Sequence, residues 1–330
     1  MSQDVKLIQL LSDGRFHSGE ELGSILGVSR AAVWKMLRSF AALGLCVQAV
    51  PAKGYRLQEP LELLDGALIQ SVLSPRAKRL LSELELLSTV DSTNRHAQRA
   101  AAQGAKSGYV CIAEHQSAGR GRRGRTWISP FGANLYLSVY RRFHLSFAAL
   151  AGLSLAVGVA VLKALHHTDL SGMGLKWPND ILWEGRKLGG VLVELTGEAS
   201  GPCDVVVGVG LNVRMPKGAG EEIEQPWVDV RTIAGGRSIS RNHLGGLVLQ
   251  ELLTGLEDFE QLGFEGFRAD WLRWDLAKGK EVELRLNDKV VYGRALGIDS
   301  SGALLLDERG TVHTYNAGEV TLRVRDDTVA

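Results

Sequence analysis

The seven positions from Gly119 to Arg125 hold four arginines, Arg120, Arg122, Arg123 and Arg125, interleaved with Gly119, Gly121 and Gly124. Guanidinium forks bind phosphate oxygens in pairs, and each charge-assisted hydrogen bond is worth about 1.5 to 3 kcal/mol, so the expected ligand is an anion, phosphate above all. Like charges repel and glycine raises the entropic cost of order. The run should therefore stay mobile until the anion arrives. Its glycines also satisfy G-x-G-x-x-G and, with Arg for Lys, nearly satisfy G-x-x-x-x-G-K-T. Both patterns need a helix directly after them, because the helix N-terminus helps hold the phosphate. Ser129, Pro130, Phe131 and Gly132 block such a helix, and no acid stands about 20 residues on to take a ribose hydroxyl. Rossmann and P-loop assignments are excluded, while charge alone leaves a solvated basic loop or an RNA contact open.

Two further constellations follow, Lys176-Trp177-Pro178-Asn179-Asp180 and Lys187-Leu188-Gly189-Gly190. If 180–183 and 187–195 form a hairpin, Lys187 opens the return strand and can project into a cleft; alone, a strand-end lysine is more often a solvated surface residue. Gly189, Gly190, Gly208 and Gly210 weaken their strands unless a ligand or another backbone comes close. Asp91, Ser92, Thr93 and Asn94 precede a helix, where one short side chain is expected to cap it and the others stay available to a ligand. Cys46, Cys111 and Cys203 are far apart with no CxxC pair, and no histidines have ligand spacing. Neither a disulfide framework nor a protein-held metal is expected, and a reducing compartment fits.

These residues must be positioned by more than one domain, since 330 residues exceed a typical single one. Lys+Arg 38 against Asp+Glu 37 gives +1, and 45% of residues are hydrophobic, which excludes a disordered or polybasic chain. The balance conceals two acid-free stretches, Val28 to Arg56 and His115 to Thr168, which imply two anion-facing surfaces. In the first 60 residues, Ser18 and Glu21 form a capping box before a helix, and Ser29 caps the next. That helix turns Val33, Met36, Leu37 and Phe40 inward. Short strands flank the turn at Pro51 to Gly54, completing a winged helix-turn-helix. Ser29, Arg30, Ala31, Trp34, Lys35 and Arg38, with Lys53 on the wing, are the expected DNA contacts. A protein-binding winged helix is the other reading.

Residues 58–65 read as a linker. Beyond them, mixed strand and helix patterns indicate an α+β unit with a largely antiparallel sheet, and short, closely spaced strands from about Ala277 indicate a small SH3-like β-barrel. The expected division is 1–60, 61–275 and 276–330. The apolar stretch Phe147 to Leu162 falls short of the roughly 20 residues needed to span a membrane and reads as a buried helix. With no signal-peptide pattern at the start, the expected location is cytoplasmic and no membrane partner is expected.

In this order, behind a winged helix and before a small barrel, the elements 119–127, 176–180, 187–190 and 208–212 closely resemble those of bacterial bifunctional biotin protein ligases, the biotin operon repressors, and the resemblance covers essentially the whole chain. It implies the central fold of the biotin/lipoate ligases. It also implies two steps: biotin and MgATP give biotinyl-5'-AMP and pyrophosphate, then a lysine of a biotin carboxyl carrier protein, the acetyl-CoA carboxylase subunit, takes the biotinyl group. The adenylate would act as corepressor, favouring a homodimer on a two-fold operator. By position, Ser92, Thr93, Asn94 and Gln116 would hold biotin, and Arg120, Gly121 and Arg122 would close over it and the adenylate phosphate. Arg125 would join the adenylate site, and Trp227 would cover the adenine. Lys187 would meet the carboxylate and phosphate; with Arg122 it would offset the repulsion of two anions, and Asp180 would be base or orienter. Mg2+ would come with ATP. A lipoate-type ligase and a biotin-sensing repressor without catalysis are the competing readings.

Overall fold

The computed structural model describes residues 3–198, 201–216, 218–286, 289–317 and 320–324. The N-terminal signals are realised: the Ser18 hydroxyl accepts the Glu21 N–H at 3.0 Å, and Glu21 accepts the Ser18 N–H at 3.4 Å. Helices α1 (Gln3–Leu11), α2 (Gly19–Leu26) and α3 (Arg30–Ser39) surround buried Leu7, Leu11, Leu22, Val33 and Phe40. Strands β1 (Val47–Val50) and β2 (Gly54–Leu57) pair antiparallel as the wing.

This head is not closed by its own residues. Phe131, from beyond the arginine run, is 2% exposed inside its core, and the Phe131 N–H donates to the Leu43 carbonyl at 2.9 Å. Three short helices and a two-stranded wing bury little surface alone, so a borrowed aromatic completes the packing. The segment read as a linker is likewise strapped down. The Leu61 N–H donates to the Ser12 carbonyl (2.9 Å), the Leu64 N–H to Glu114 Oε1 (2.5 Å) and the Ser240 hydroxyl to Glu62 Oε1 (2.5 Å). Glu59 pairs with Arg231 at 2.8 Å.

The central unit begins with α4 (Gly66–Ser71) and α5 (Pro75–Leu80), which sequence periodicity does not reveal because each is barely a turn and a half. Their caps, Asp65 and Ser74, are the legible signal. Then follow β3 (Glu83–Leu87), α6 (Thr93–Ala102), β4 (Tyr109–Ala113) and β5 (Leu135–Phe143). Helix α7 (Leu153–His166) leads to β6 (Met173–Lys176), β7 (Asp180–Trp183), β8 (Arg186–Gly197) and β9 (Cys203–Leu211). Helices α8 (Val230–Ile233), α9 (Arg241–Leu262) and α10 (Glu265–Trp274) close the unit; neither α8 nor α10 is among the elements expected from the sequence.

The seven strands lie in the order β3-β4-β5-β9-β8-β7-β6, antiparallel throughout except β3 beside β4. Period-two alternation sends Val110 and Ile112 of β4 into the main core with α7 and α9, and Tyr109 and Cys111 to the opposite face against Ala97 of α6. The apolar stretch Ala148–His166 has the length and hydropathy of a membrane span, yet 67% of it is buried inside the protein. Gly152 divides it: its φ of +80° ends a short 3-10 turn and starts α7, and a Cβ there would come within 2.6 Å of the Phe264 ring.

Five strands form the C-terminal sheet: β10 (Glu281–Leu286), β11 (Lys289–Ile298), β12 (Leu304–Glu308), β13 (Thr311–Tyr315) and β14 (Val320–Val324). Their order is β13-β12-β11-β10-β14, antiparallel throughout. Strand β13 escapes sequence reading because its residues are mostly exposed and show no apolar alternation. The sheet shares its core with the central unit through Val282, Leu284 and Leu306, and the Trp177 indole N–H donates to the Gly302 carbonyl at 3.1 Å.

Asp275 sits at this junction. Its Oδ1 accepts the Ala277 N–H at 2.9 Å while its buried Oδ2 has no partner among the described residues, and burial pushes its carboxyl up to about 6. A carboxyl raised above its unfolded value of 3.8 contributes stability while protonated and loses that contribution as pH rises through about 6. Asp275→Asn keeps the acceptor and removes the buried charge. It is expected to raise the melting midpoint at pH 7.5, to raise it less near pH 4.5, and to leave it nearly unchanged only below the unfolded value of 3.8, as scanning calorimetry across this range would show.

Candidate active site

The arginine run folds back on itself. The Trp127 N–H donates to the Gly119 carbonyl at 2.9 Å, the Gly121 N–H to the Arg125 carbonyl at 2.7 Å, and a bridge joins Arg120 to Thr126. The loop expected to stay mobile is thus a small hairpin in this structure, tight enough that Arg123 takes φ 58°. Its hydrogen bonds and the anchoring of Arg122 compensate the charge repulsion. Arg122 reaches inward, donating to Asn179 Oδ1 at 3.4 Å and to the backbone carbonyl of Ala317 in the C-terminal unit. Burial pulls its guanidinium down from the ordinary value while Asp180 pulls it back up. Arg120 lies 4.0 Å from Glu194 on β8, and the Arg125 side chain is exposed.

Strands β7 and β8 form the expected hairpin and bring two lysines onto one carboxylate. Lys187 Nζ is 2.6 Å from Asp180 Oδ1, and Lys176 Nζ is 3.1 Å from Asp180 Oδ2. Burial would raise the Asp180 carboxyl, but Lys187 and Lys176 outweigh it and hold it below the usual carboxylate range. An ionised acid between two ammonium groups is a poor proton acceptor and a firm anchor. That geometry favours the orienting role for Asp180 over the base. Arg120, Arg122, Lys176 and Lys187 gather around two carboxylates, Asp180 and Glu194, so cations outnumber these acids at the site.

Trp127, which motif reasoning leaves at the end of the run, is the residue most clearly missed. Its ring lies 5.6 Å from Lys187 Nζ, and its buried indole nitrogen has no hydrogen-bond partner among the described residues. The strand glycines explain its place: a Cβ on Gly210 would approach the indole to 2.5 Å, and one on Gly190 would lie 3.6 Å from it. Gly208 has a different neighbour, since a Cβ there would fall 2.1 Å from Asn94 Oδ1. The paired signal, an aromatic closing a cationic loop and glycines in strands elsewhere, is present in the sequence, but their contact is not.

The cluster before α6 forms a closed polar network. Gln116 Oε1 accepts from the Thr93 N–H (2.9 Å) and hydroxyl (3.1 Å), while its Nε2 donates to the Ser129 hydroxyl at 3.0 Å. The Ser138 hydroxyl donates to Asn94 Oδ1 at 2.6 Å, and Asn94 Nδ2 donates to Glu194 at 2.8 Å. Ser92 stands at the N-cap, but its hydroxyl makes no cap bond, contrary to the expectation that one short side chain would be spent there. Asp91 is committed to Arg99 instead, at 2.8 Å. Trp227 stands beside the lysine: the Lys187 N–H donates to Pro226 and the Val228 N–H to the Lys187 carbonyl, at 2.8 and 2.9 Å. Asn212 Nδ2 clips the same segment through the carbonyls of Lys187 and Val228.

Arginines and lysines converging on an aromatic-floored cradle suit an anionic substrate with a flat ring and a phosphoryl group. Among the described residues, no group of three or more His, Cys, Asp and Glu side chains is arranged to hold a metal ion.

Residues 86–212 match the Biotin/lipoate A/B protein ligase family, 279–323 the Biotin protein ligase C terminal domain and 5–56 an HTH domain. The chain is 40% identical over 324 residues to the bifunctional ligase/repressor BirA of Escherichia coli (strain K12), with 97% of each chain covered. It is 31% identical to BirA of Bacillus subtilis (strain 168), over 96% of this chain and 97% of that one. A biotin protein ligase from Aquifex aeolicus in complex with biotin and ATP superimposes with a TM-score of 0.64 at 29% identity, covering 74% of this chain and 100% of that one.

Proposed function

Since the chain belongs to the biotin/lipoate A/B protein ligase family and to its bifunctional ligase/repressor members, we propose how its own residues divide the work of two reactions and one switch. The protein activates biotin with ATP to biotinyl-5'-AMP, transfers biotin to a carrier-protein lysine and represses transcription through its helix-turn-helix. We assign these tasks to residues 1–60, 61–275 and 276–330 as head, catalytic unit and C-terminal unit.

The observation that carries the site assignment is the convergence of Lys187, Asp180, Trp127 and Arg122. Biotin carboxylate and the ATP α-phosphate are both anions. Lys187, aimed by Asp180, neutralises the charge where the new bond forms, and Arg122 holds the phosphate from the loop side. Trp127 supplies an apolar wall for the biotin rings. Ser92, Thr93, Gln116 and Asn94 line the biotin end, with Arg120 and Gly121 above them. Arg125 and Trp227 belong to the adenylate side. No protein nucleophile is involved: the carboxylate oxygen bonds to phosphorus as pyrophosphate leaves, and the acceptor amine later displaces AMP from the acyl carbon. The partner of that second step is a biotin carboxyl carrier domain. Incubating the protein with MgATP, a carrier domain and either biotin or lipoate, then weighing the carrier, tests this reading. A mass gain with biotin alone is expected; a gain with lipoate, or none, refutes it.

The adenylate-loaded protein is proposed to bind a two-fold operator as a homodimer in the cell interior. Arg30, Lys35 and Lys53 are exposed on α3 and the wing in a stretch without acids, which supports binding to phosphates. Replacing all three with alanine is expected to lower the slope of log affinity against log salt by about 0.9 for every DNA phosphate that is no longer neutralised. A salt titration of operator binding with an unchanged slope would remove them from the interface.

A further inference from the structure

The outward face of α3 carries one residue that electrostatics does not account for. Trp34 is 51% exposed, the largest side chain among the exposed apolar residues of the head, and it buries nothing in the core that Val33 and Leu37 supply from the other face. Its neighbours one turn away on each side are Arg30 and Arg38, and Lys35 adjoins it. Ala31, also exposed, leaves the surface beside the indole low. The Arg38 guanidinium lies 4.8 Å from the indole centroid, stacked over it. This stack covers one face of the ring and holds its orientation, while about half of the side chain stays open to the outside.

Basic residues on both sides select a polyanion, and an immobilised aromatic ring between them selects an apolar group recessed among charges. In a major groove the apolar group on a base edge is the thymine C5-methyl; every other distinguishing feature there is a hydrogen-bond donor or acceptor. Resting on the reading that the head binds operator DNA, we propose that Trp34 determines part of the sequence specificity by packing its indole against a thymine methyl, with Arg38 as the residue that positions the ring. Holding the ring before DNA arrives lowers the cost of ordering it on binding.

The experiment uses the full-length protein saturated with biotin and MgATP. A preferred duplex is selected from a randomised pool, and each thymine in it is then replaced by deoxyuridine, which deletes only the methyl. Wild-type protein is expected to lose about fourfold in affinity per contacted methyl, the effect of exposing one buried methyl group. Trp34→Ala is expected to bind the thymine duplex about tenfold or more weakly and to bind thymine and deoxyuridine duplexes equally, with an unchanged melting midpoint because the side chain is exposed. If wild-type affinity is indifferent to every replacement, or Trp34→Ala keeps the methyl preference, the proposal is overturned while operator binding stands. A pool that yields no preferred duplex overturns both. Weaker self-association of Trp34→Ala without DNA, with the methyl preference intact, would assign Trp34 to an interface between copies and overturn the proposal.

Discussion

Lys187→Ala is expected to slow pyrophosphate release from ATP and biotin by about 10²- to 10³-fold, the usual consequence of removing one preorganised donor aimed at developing charge. The size follows from the position of the ammonium. It is anchored 2.6 Å from Asp180 and faces the Trp127 ring, so it requires no reorganisation when the carboxylate meets the phosphate. Lys176 remains on Asp180 in the variant, so no buried carboxylate is left unpaired and the loss should appear in the rate rather than in the melting midpoint. Near-normal pyrophosphate release would exclude Lys187 from the transition state. Release that falls together with the melting midpoint would point instead to a structural role.

Arg241→Ala is expected to cost about 3 to 5 kcal/mol of unfolding free energy, the range found when one partner of a buried ion pair is removed. Arg241 and Glu114 are 4% and 7% exposed, and their side chains meet at 2.8 Å. The guanidinium also donates to the carbonyls of Asn134 and, at 2.6 Å, Glu62, so it joins the strap at 58–65 to the sheet and to the first turn of α9. Its removal leaves the Glu114 charge buried with the Leu64 N–H as its remaining hydrogen-bond donor among the described residues. A substantial fall in the urea midpoint is expected, with Glu114→Gln milder because it retains hydrogen-bonding capacity without the charge. A midpoint within experimental error of wild type would show that the site hydrates or collapses at little cost.

The head is largely legible in the sequence because its signals are local. Ser18 and Glu21 are three residues apart, as are Ser29 and the Ala32 N–H that it caps, and the inward stripe of α3 repeats within one helix. The chemical character of the site is partly legible for a similar reason: four arginines in one loop point to an anion, but charge alone does not separate a phosphate site from a solvated basic loop, and the lysine at the mouth of the hairpin gains its meaning from the fold. Short helices such as α4 and α5, and the exposed strand β13, give no periodicity to read.

Distant pairings carry no such signal. Arg122 meets the Ala317 carbonyl 195 positions away, Arg241 meets Glu114 across 127, and Asn94 occupies the space that a side chain at 208 would fill. Composition predicts that Arg122 is charged and Gly208 small, but which groups lie opposite them depends on the path of the chain between. The same holds for Phe131, which reads as part of a loop and completes the core of a head that begins more than a hundred residues earlier. Caps, periodicity and charge depend on neighbours within a few residues, so they can be read along the chain. The Trp127 cradle, the two-lysine grip on Asp180 and the strap beneath the head come from elements far apart in sequence, and they exist once folding has closed those distances.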